Sequence, residues 1–114
     1  MDTEREISYF EAIFEAEQQE MDRDERVILI GEDIYLYSGS GLLQVDAKRL
    51  RSTPISENSF CGVAVGAAMT GLRPIVDLTI ASFAYLASDQ IINQAAKLHY
   101  MTGGRARIPV VFRA

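Results

Sequence analysis

Residues 53–74 restrict the fold more than any other part of the chain, because they write a helix with fixed ends. Pro54 keeps Thr53 extended, since a residue before proline avoids the α region. Ser56 is then placed to cap a helix. Gly62, Ala64, Gly66, Ala67 and Ala68 strip that helix of bulk, so another element can approach its backbone closely. Gly71 suits a left-handed C-terminal stop, and Pro74 blocks continuation. Short apolar runs on either side of such a helix predict strands, and with them an alternating α/β chain.

Ser8 and Glu11 have the spacing of a capping box. Tyr9, Ile13 and Ala16, with Phe10 and Phe14 beside them, predict the apolar face of a first helix that ends near residues 21–24. Val27-Ile-Leu-Ile30, stopped by Gly31, is short and β-branched, the pattern of a strand buried on both faces. Residues 32–52 carry the weakest signal. Ser38-Gly-Ser-Gly41 reads as a flexible break, and Leu42, Leu43, Val45 and Leu50 predict no more than a weak helix or loop. A second strand is expected over 74–78. A helix follows over 83–98, with Tyr85, Leu86, Ile91, Ile92 and Ala95 as its apolar face, then an exit at Met101-Thr-Gly-Gly104 and a third strand over 109–112.

This order of helix, strand, helix, strand, helix, strand predicts an α/β fold with a mostly parallel sheet and helices on both faces. A last strand with nothing after it leaves half the sheet uncovered, so a larger protein or a partner is expected. The 114 residues give room for one small core. A net charge of −5 disfavours nucleic acid and anionic membrane as partners. No apolar run is long enough to span a bilayer. The acidic start, residues 1–6, fits neither a signal nor a transit peptide. Cys61, a single cysteine, can form neither an internal disulfide nor a metal cluster, which fits a reducing compartment.

The run Thr53-Pro-Ile-Ser-Glu57, then Gly62-Val-Ala-Val-Gly-Ala-Ala-Met-Thr-Gly-Leu-Arg-Pro74, then Asp89-Gln90, Asn93-Gln94 and Lys97, then Tyr100-Met-Thr-Gly-Gly104 and Pro109-Val-Val-Phe-Arg113 carries a family signal. In order and spacing it resembles the E1 β subunits of 2-oxo acid dehydrogenase complexes, the pyruvate type most closely. Arg5-Glu-Ile-Ser-Tyr9 and Val27-Ile-Leu-Ile-Gly-Glu-Asp33 also fit. The resemblance covers almost the whole chain. It implies the N-terminal part of a transketolase-like, thiamine diphosphate-binding (pyrimidine) domain over residues 1–114, without the rest of that domain or the following one.

The same resemblance implies oxidative decarboxylation of a 2-oxo acid such as pyruvate, with acyl transfer to a lipoyl group on an E2 chain. The partners would be an E1 α subunit and a second β subunit in an α2β2 assembly. Thiamine diphosphate would be shared with the partner chain, which would also hold the magnesium; no metal ligand is expected in this chain. Location would be the bacterial cytoplasm or an organelle matrix or stroma. Glu57 matches the family's catalytic glutamate, whose carboxyl bonds the ring nitrogen N1′ and favours the imino tautomer that takes the C2 proton. Such a group works best when buried. Phe83 matches the aromatic residue packed on the aminopyrimidine, Ile55 an apolar wall position, and Thr79 the position at the following strand end.

The sequence departs from the family in a shortened segment between Asp33 and Thr53, and in Thr79, where an apolar residue is common. Two alternatives stay open: a non-catalytic assembly element that keeps the fold, which the shortened segment motivates, or an acetoin- or branched-chain-type E1 β subunit. By position alone, Glu57 is a first-turn acid favoured by the helix dipole, and Phe83 an ordinary core aromatic. Structural roles for Ile55 and Thr79 are at least as well supported as ligand contact. Glu32 and Asp33 read as braces of the loop after the first strand, His99 as a structural or solvent-facing residue, and Cys61 as a small buried one. The small-residue helix reads as a close-packing element. Its glycines lack the spacing of a phosphate-binding loop. Asp89, Gln90, Asn93 and Gln94 read as interface residues, with Ile91 and Ile92 buried beside them.

Overall fold

The computed structural model of the chain describes residues 4–114. The reading of the acidic start rests in part on residues 1–3, which lie outside the described residues. Helix α1 (Tyr9–Arg23) begins with the full capping box: Ser8 Oγ accepts from the Glu11 N–H, and the Glu11 carboxylate accepts from the Ser8 N–H. Strand β1 (Val27–Gly31) leads to a short helix α2 (Ile34–Ser38) and then to strand β2 (Leu50–Ser52). Helix α3 (Glu57–Met69) precedes strand β3 (Arg73–Asp77). A 3-10 segment (Ala81–Ala87), a π-helical segment (Asp89–Ala95) and helix α4 (Leu98–Met101) connect it to strand β4 (Val111–Arg113).

All four strands are parallel, in the order β2-β1-β3-β4. Side chains alternate along the two central strands. Leu29 and Ile75 join Phe14, Met21, Ile34 and Leu43 on one face. Ile30 and Val76 join Phe60, Cys61, Ala64 and Ala87 on the other. The α/β architecture, with helices on both faces of a parallel sheet, agrees with the expectation from the sequence.

Helix α3 ends as its glycine predicts. Gly71 has φ 115°, and the Leu72 and Gly71 N–H groups bond the Ala67 and Ala68 carbonyls at 3.0 and 3.4 Å, the two bonds of a Schellman stop. Its start differs in one detail. Ser56 occupies the cap position, but its hydroxyl donates back to the Pro54 carbonyl and caps nothing. The close approach expected at the small residues occurs at Gly62, where an added Cβ would lie 3.1 Å from the Gln90 side chain.

Three expectations are corrected. Residues 32–52 are not merely a weak helix or loop: they contain both α2 and a fourth strand, β2, which exists because it pairs with the edge of β1. Residues 83–98 do not form one α-helix. Their 3-10 and π turns have other pitches, so Tyr85, Leu86 and Ile92 stay exposed while Ala87 is buried and Ile91 packs on the core. In α1 the buried row is Phe14, Glu17 and Met21, and Tyr9 and Phe10 are exposed. An acidic residue in that row hides it from a reading of apolar spacing.

Candidate functional site

The strand register places four chain exits in one row. Gly31 is aligned with Ser52 and with Asp77, and Asp77 with Arg113. Glu32, residues 53–57, and residues 78–83 therefore all leave from the C-terminal edge of the sheet. Strand order reverses direction between β1 and β3: β1 continues to α2 and the β2 side, β3 to the β4 side. In open parallel sheets, ligands bind in the crevice at this switch point.

The backbone there is tightly drawn. A Cβ on Gly31 would come within 2.5 Å of the Asp77 carbonyl oxygen, so only glycine lets β1 and β3 close at this level. The Thr53 N–H donates to the Gly31 carbonyl at 2.9 Å, and the Tyr35 N–H to Ser52 Oγ at 2.8 Å. These bonds hold the loop after β2 against the end of β1 and aim the start of α3 at the crevice.

Glu57 is the first residue of α3 and is buried at 6% exposure. Glu32, the first residue after β1, lies beside it. Burial raises the Glu32 carboxyl above its usual value, and the charges of Glu57, Asp33 and Asp77 push it further the same way. One Glu32 oxygen, Oε2, is out of contact with solvent and has no hydrogen-bond partner. Among the described residues neither carboxylate is in an ion pair. Glu32 so placed favours its protonated form, and it can present or accept a proton beside Glu57 at the switch.

Of the other residues singled out from the sequence, Thr79 lies just past β3 with φ 65°, Phe83 is half-buried in the 3-10 segment that packs on α3, and Ile55 is 82% exposed on the loop before α3. All three are on the same edge as Glu57. Cys61, one turn along α3, is fully buried and its thiol is pushed up to about 11 by burial and then by Glu57, which makes it a poor nucleophile. His99 Nδ1 contacts the Ala106 carbonyl at 2.8 Å and ties α4 to the chain before β4. Asn93 donates to Asp89 and accepts from Lys97 on the surface. Ile92 beside them is exposed in this chain, against the expectation that it is buried. Glu32, read from the sequence as a brace of the loop after the first strand, is the residue whose place beside Glu57 that reading missed. Its only local signal was its place directly after a buried strand.

The transketolase pyrimidine binding domain family matches residues 5–114. The chain is 50% identical to the pyruvate dehydrogenase E1 component subunit beta of Rickettsia bellii, over 94% of this chain and 35% of that protein. It is 46% and 45% identical to the mitochondrial pyruvate dehydrogenase E1 component subunit beta of Bos taurus and of Homo sapiens, over 94% of this chain and 32% of each. The chain thus spans about a third of the length of these curated relatives. Among the described residues no helix is long and apolar enough to cross a membrane. The chain belongs to the transketolase pyrimidine-binding domain family.

Proposed function

We propose that this member of the pyrimidine-binding family supplies the aminopyrimidine half of a thiamine diphosphate site in a 2-oxo acid dehydrogenase E1 β subunit of the pyruvate type. The observation that carries the reading is buried Glu57 beside half-buried Glu32 at the β1/β3 switch point, with one Glu32 oxygen lacking a partner. A nitrogen heterocycle with a ring acceptor fits such a pair, because the proton favoured at Glu32 can be passed toward it without first burying a new charge. Bound there, thiamine diphosphate supplies the carbon nucleophile and electron sink for decarboxylation.

The chain's own residues bind, orient and control the proton. Glu57 would present its carboxyl to the ring position N1′. Glu32 beside it favours its own protonated form and would supply the proton to that carboxyl. Phe83 supplies an aromatic surface from the segment after β3, while Thr79 and Ile55 form the neighbouring walls. The diphosphate and its magnesium would be held by an E1 α subunit. Exposed Tyr85, Leu86, Ile92, Tyr100 and Met101 support assembly with that chain and with a second β subunit, and lipoyl-E2 would take the acyl group. The bacterial and mitochondrial relatives support a cytoplasmic or organelle-matrix location.

The test is Glu57→Gln in the chain assembled with an E1 α subunit. Loss of a positioned acid–base group lowers kcat by about 10²–10⁴-fold. Turnover within a fewfold of the parent would remove Glu57 from the chemistry. Calorimetric titration with thiamine diphosphate and magnesium should show binding by the assembly and none by this chain alone.

A further inference from the structure

The exit of β3 passes through an uncommon backbone state. Thr79 has φ 65°, and the Ile80 N–H bonds the Leu78 carbonyl across it at 2.7 Å, which makes a γ-turn of the strained, positive-φ kind. Among the described residues, Thr79 is the sole non-glycine residue with positive φ. A β-branched side chain disfavours this state, so surrounding bonds must hold it. The bond that does so comes from Asp77, whose Oδ1 accepts the Thr79 N–H at 2.8 Å.

Asp77 is itself fixed. Its side chain is 1% exposed, and its Oδ2 is 3.2 Å from an Arg113 guanidinium nitrogen. Arg113 Nε pairs with Glu17 on α1, and the guanidinium lies 5.0 Å from the Phe14 ring centre and 5.7 Å from that of Tyr37. These are ion pairs by distance; the N–H groups of Arg113 are not aligned well enough for hydrogen bonds. Burial, then its closeness to Asp77, pushes the Tyr37 hydroxyl up to about 12.

We propose that Asp77 is a positioning residue of the crevice: with Oδ2 anchored through Arg113 to β4 and α1, its Oδ1 holds Thr79 in the turn that sets where the segment carrying Phe83 enters the site. The functional consequence rests on the aminopyrimidine reading, whereas the positioning of the turn does not. A purely stabilising aspartate would tie β3 to β4. This one also spends its second oxygen on the backbone of the next loop.

The experiment compares Asp77→Ala and Asp77→Asn with the parent by amide hydrogen exchange at Thr79. In the same proteins assembled with an E1 α subunit, KM for thiamine diphosphate is measured separately from kcat. Loss of a hydrogen bond to a charged acceptor speeds Thr79 exchange by about tenfold or more in Asp77→Ala. Asn keeps the shape and an acceptor, so Asp77→Asn falls between the two, and it carries the comparison if the alanine variant does not fold. KM should rise in the same order while kcat changes less. Unchanged Thr79 exchange, or a KM for thiamine diphosphate that does not rise with it, overturns the proposal. If the parent assembly fails to bind thiamine diphosphate, the aminopyrimidine reading falls and the exchange result alone decides what Asp77 does.

Discussion

Glu17 and Asp77 are buried against one arginine, whereas Glu32 and Glu57 face each other with neither in an ion pair among the described residues. The two clusters are built from the same acids near the same edge of one sheet. In the first, Arg113 offsets part of the charge, and two aromatic rings cover its guanidinium. Burial still raises the Glu17 carboxyl, against the pull of Arg113, and Asp77 adds to the rise. In the second, no cation offsets the charge, and the Glu32 carboxyl is raised by burial and by its acidic neighbours. A carboxylate beside a cation is fixed in place. A carboxyl raised beside other acids keeps a proton that can be moved. The first arrangement suits structure and the second suits chemistry.

The largest test of that contrast is Arg113→Met. It removes the cation and leaves two buried acids, and breaking such a cluster costs about 3–5 kcal/mol in denaturant unfolding near neutral pH. Undiminished stability would mean that the first cluster needs no cation, and the contrast with the second would collapse. Gly31→Ala strikes the strand junction beside Asp77. The added methyl meets the Asp77 carbonyl oxygen at 2.5 Å, so β1 and β3 must part, at about 1–3 kcal/mol by the same measurement. Both clusters should loosen together, which exchange at the Thr79 amide would show.

Glu32→Gln sharpens the contrast through pH. The folded carboxyl is raised above its ordinary 4.5, so over the interval between the two values the folded chain binds more protons than the unfolded one. Stability is therefore full below 4.5 and declines as pH rises through the folded value. Glutamine mimics the protonated form and escapes that decline. The variant should gain on the parent as pH rises, in urea unfolding on either side of the interval. A gain that runs the other way would reveal a cation paired with Glu32. The smallest effect belongs to Asp24, at the opposite edge of the sheet. Three hydrogen bonds from Arg26, two from the side chain and one from the backbone N–H, lower it from 3.8 to about 2. Its stabilisation is present above 3.8 and lost as pH falls toward 2. Asp24→Asn should thus weaken the fold slightly near neutral pH and not at all at the acid end. It serves as a half-buried, ion-paired reference for the two clusters.

Much of the scaffold could be read directly from local sequence. Ser8 and Glu11 close their capping box from a three-residue spacing, and Gly71 and Pro74 end α3 and start β3 through constraints on their own backbones. Val27–Gly31 forms a central strand because a run of β-branched and leucine side chains suits burial on both faces. Glu57 was found in the same way, as an acid at a helix start, within a motif that matched the family now established by the match over residues 5–114. Its role, and those of Ile55, Thr79 and Phe83, await the experiments above.

What the sequence determined by itself was whatever depends on near neighbours: strand and helix identity for the strongly patterned segments, the ends of α1 and α3, the parallel α/β class and the family. Only the tertiary structure decided the pairing of Leu50–Ser52 as a fourth strand, the 3-10 and π turns over residues 81–95, the burial of Glu17, and the meeting of Glu32 with Glu57. The physical reason is range. Capping bonds, glycine dihedrals and side-chain periodicity act over a few residues. Ion pairs, strand edges and acid clusters join groups that approach only after the sheet has closed, and the energy that favours each is set by a partner far along the chain.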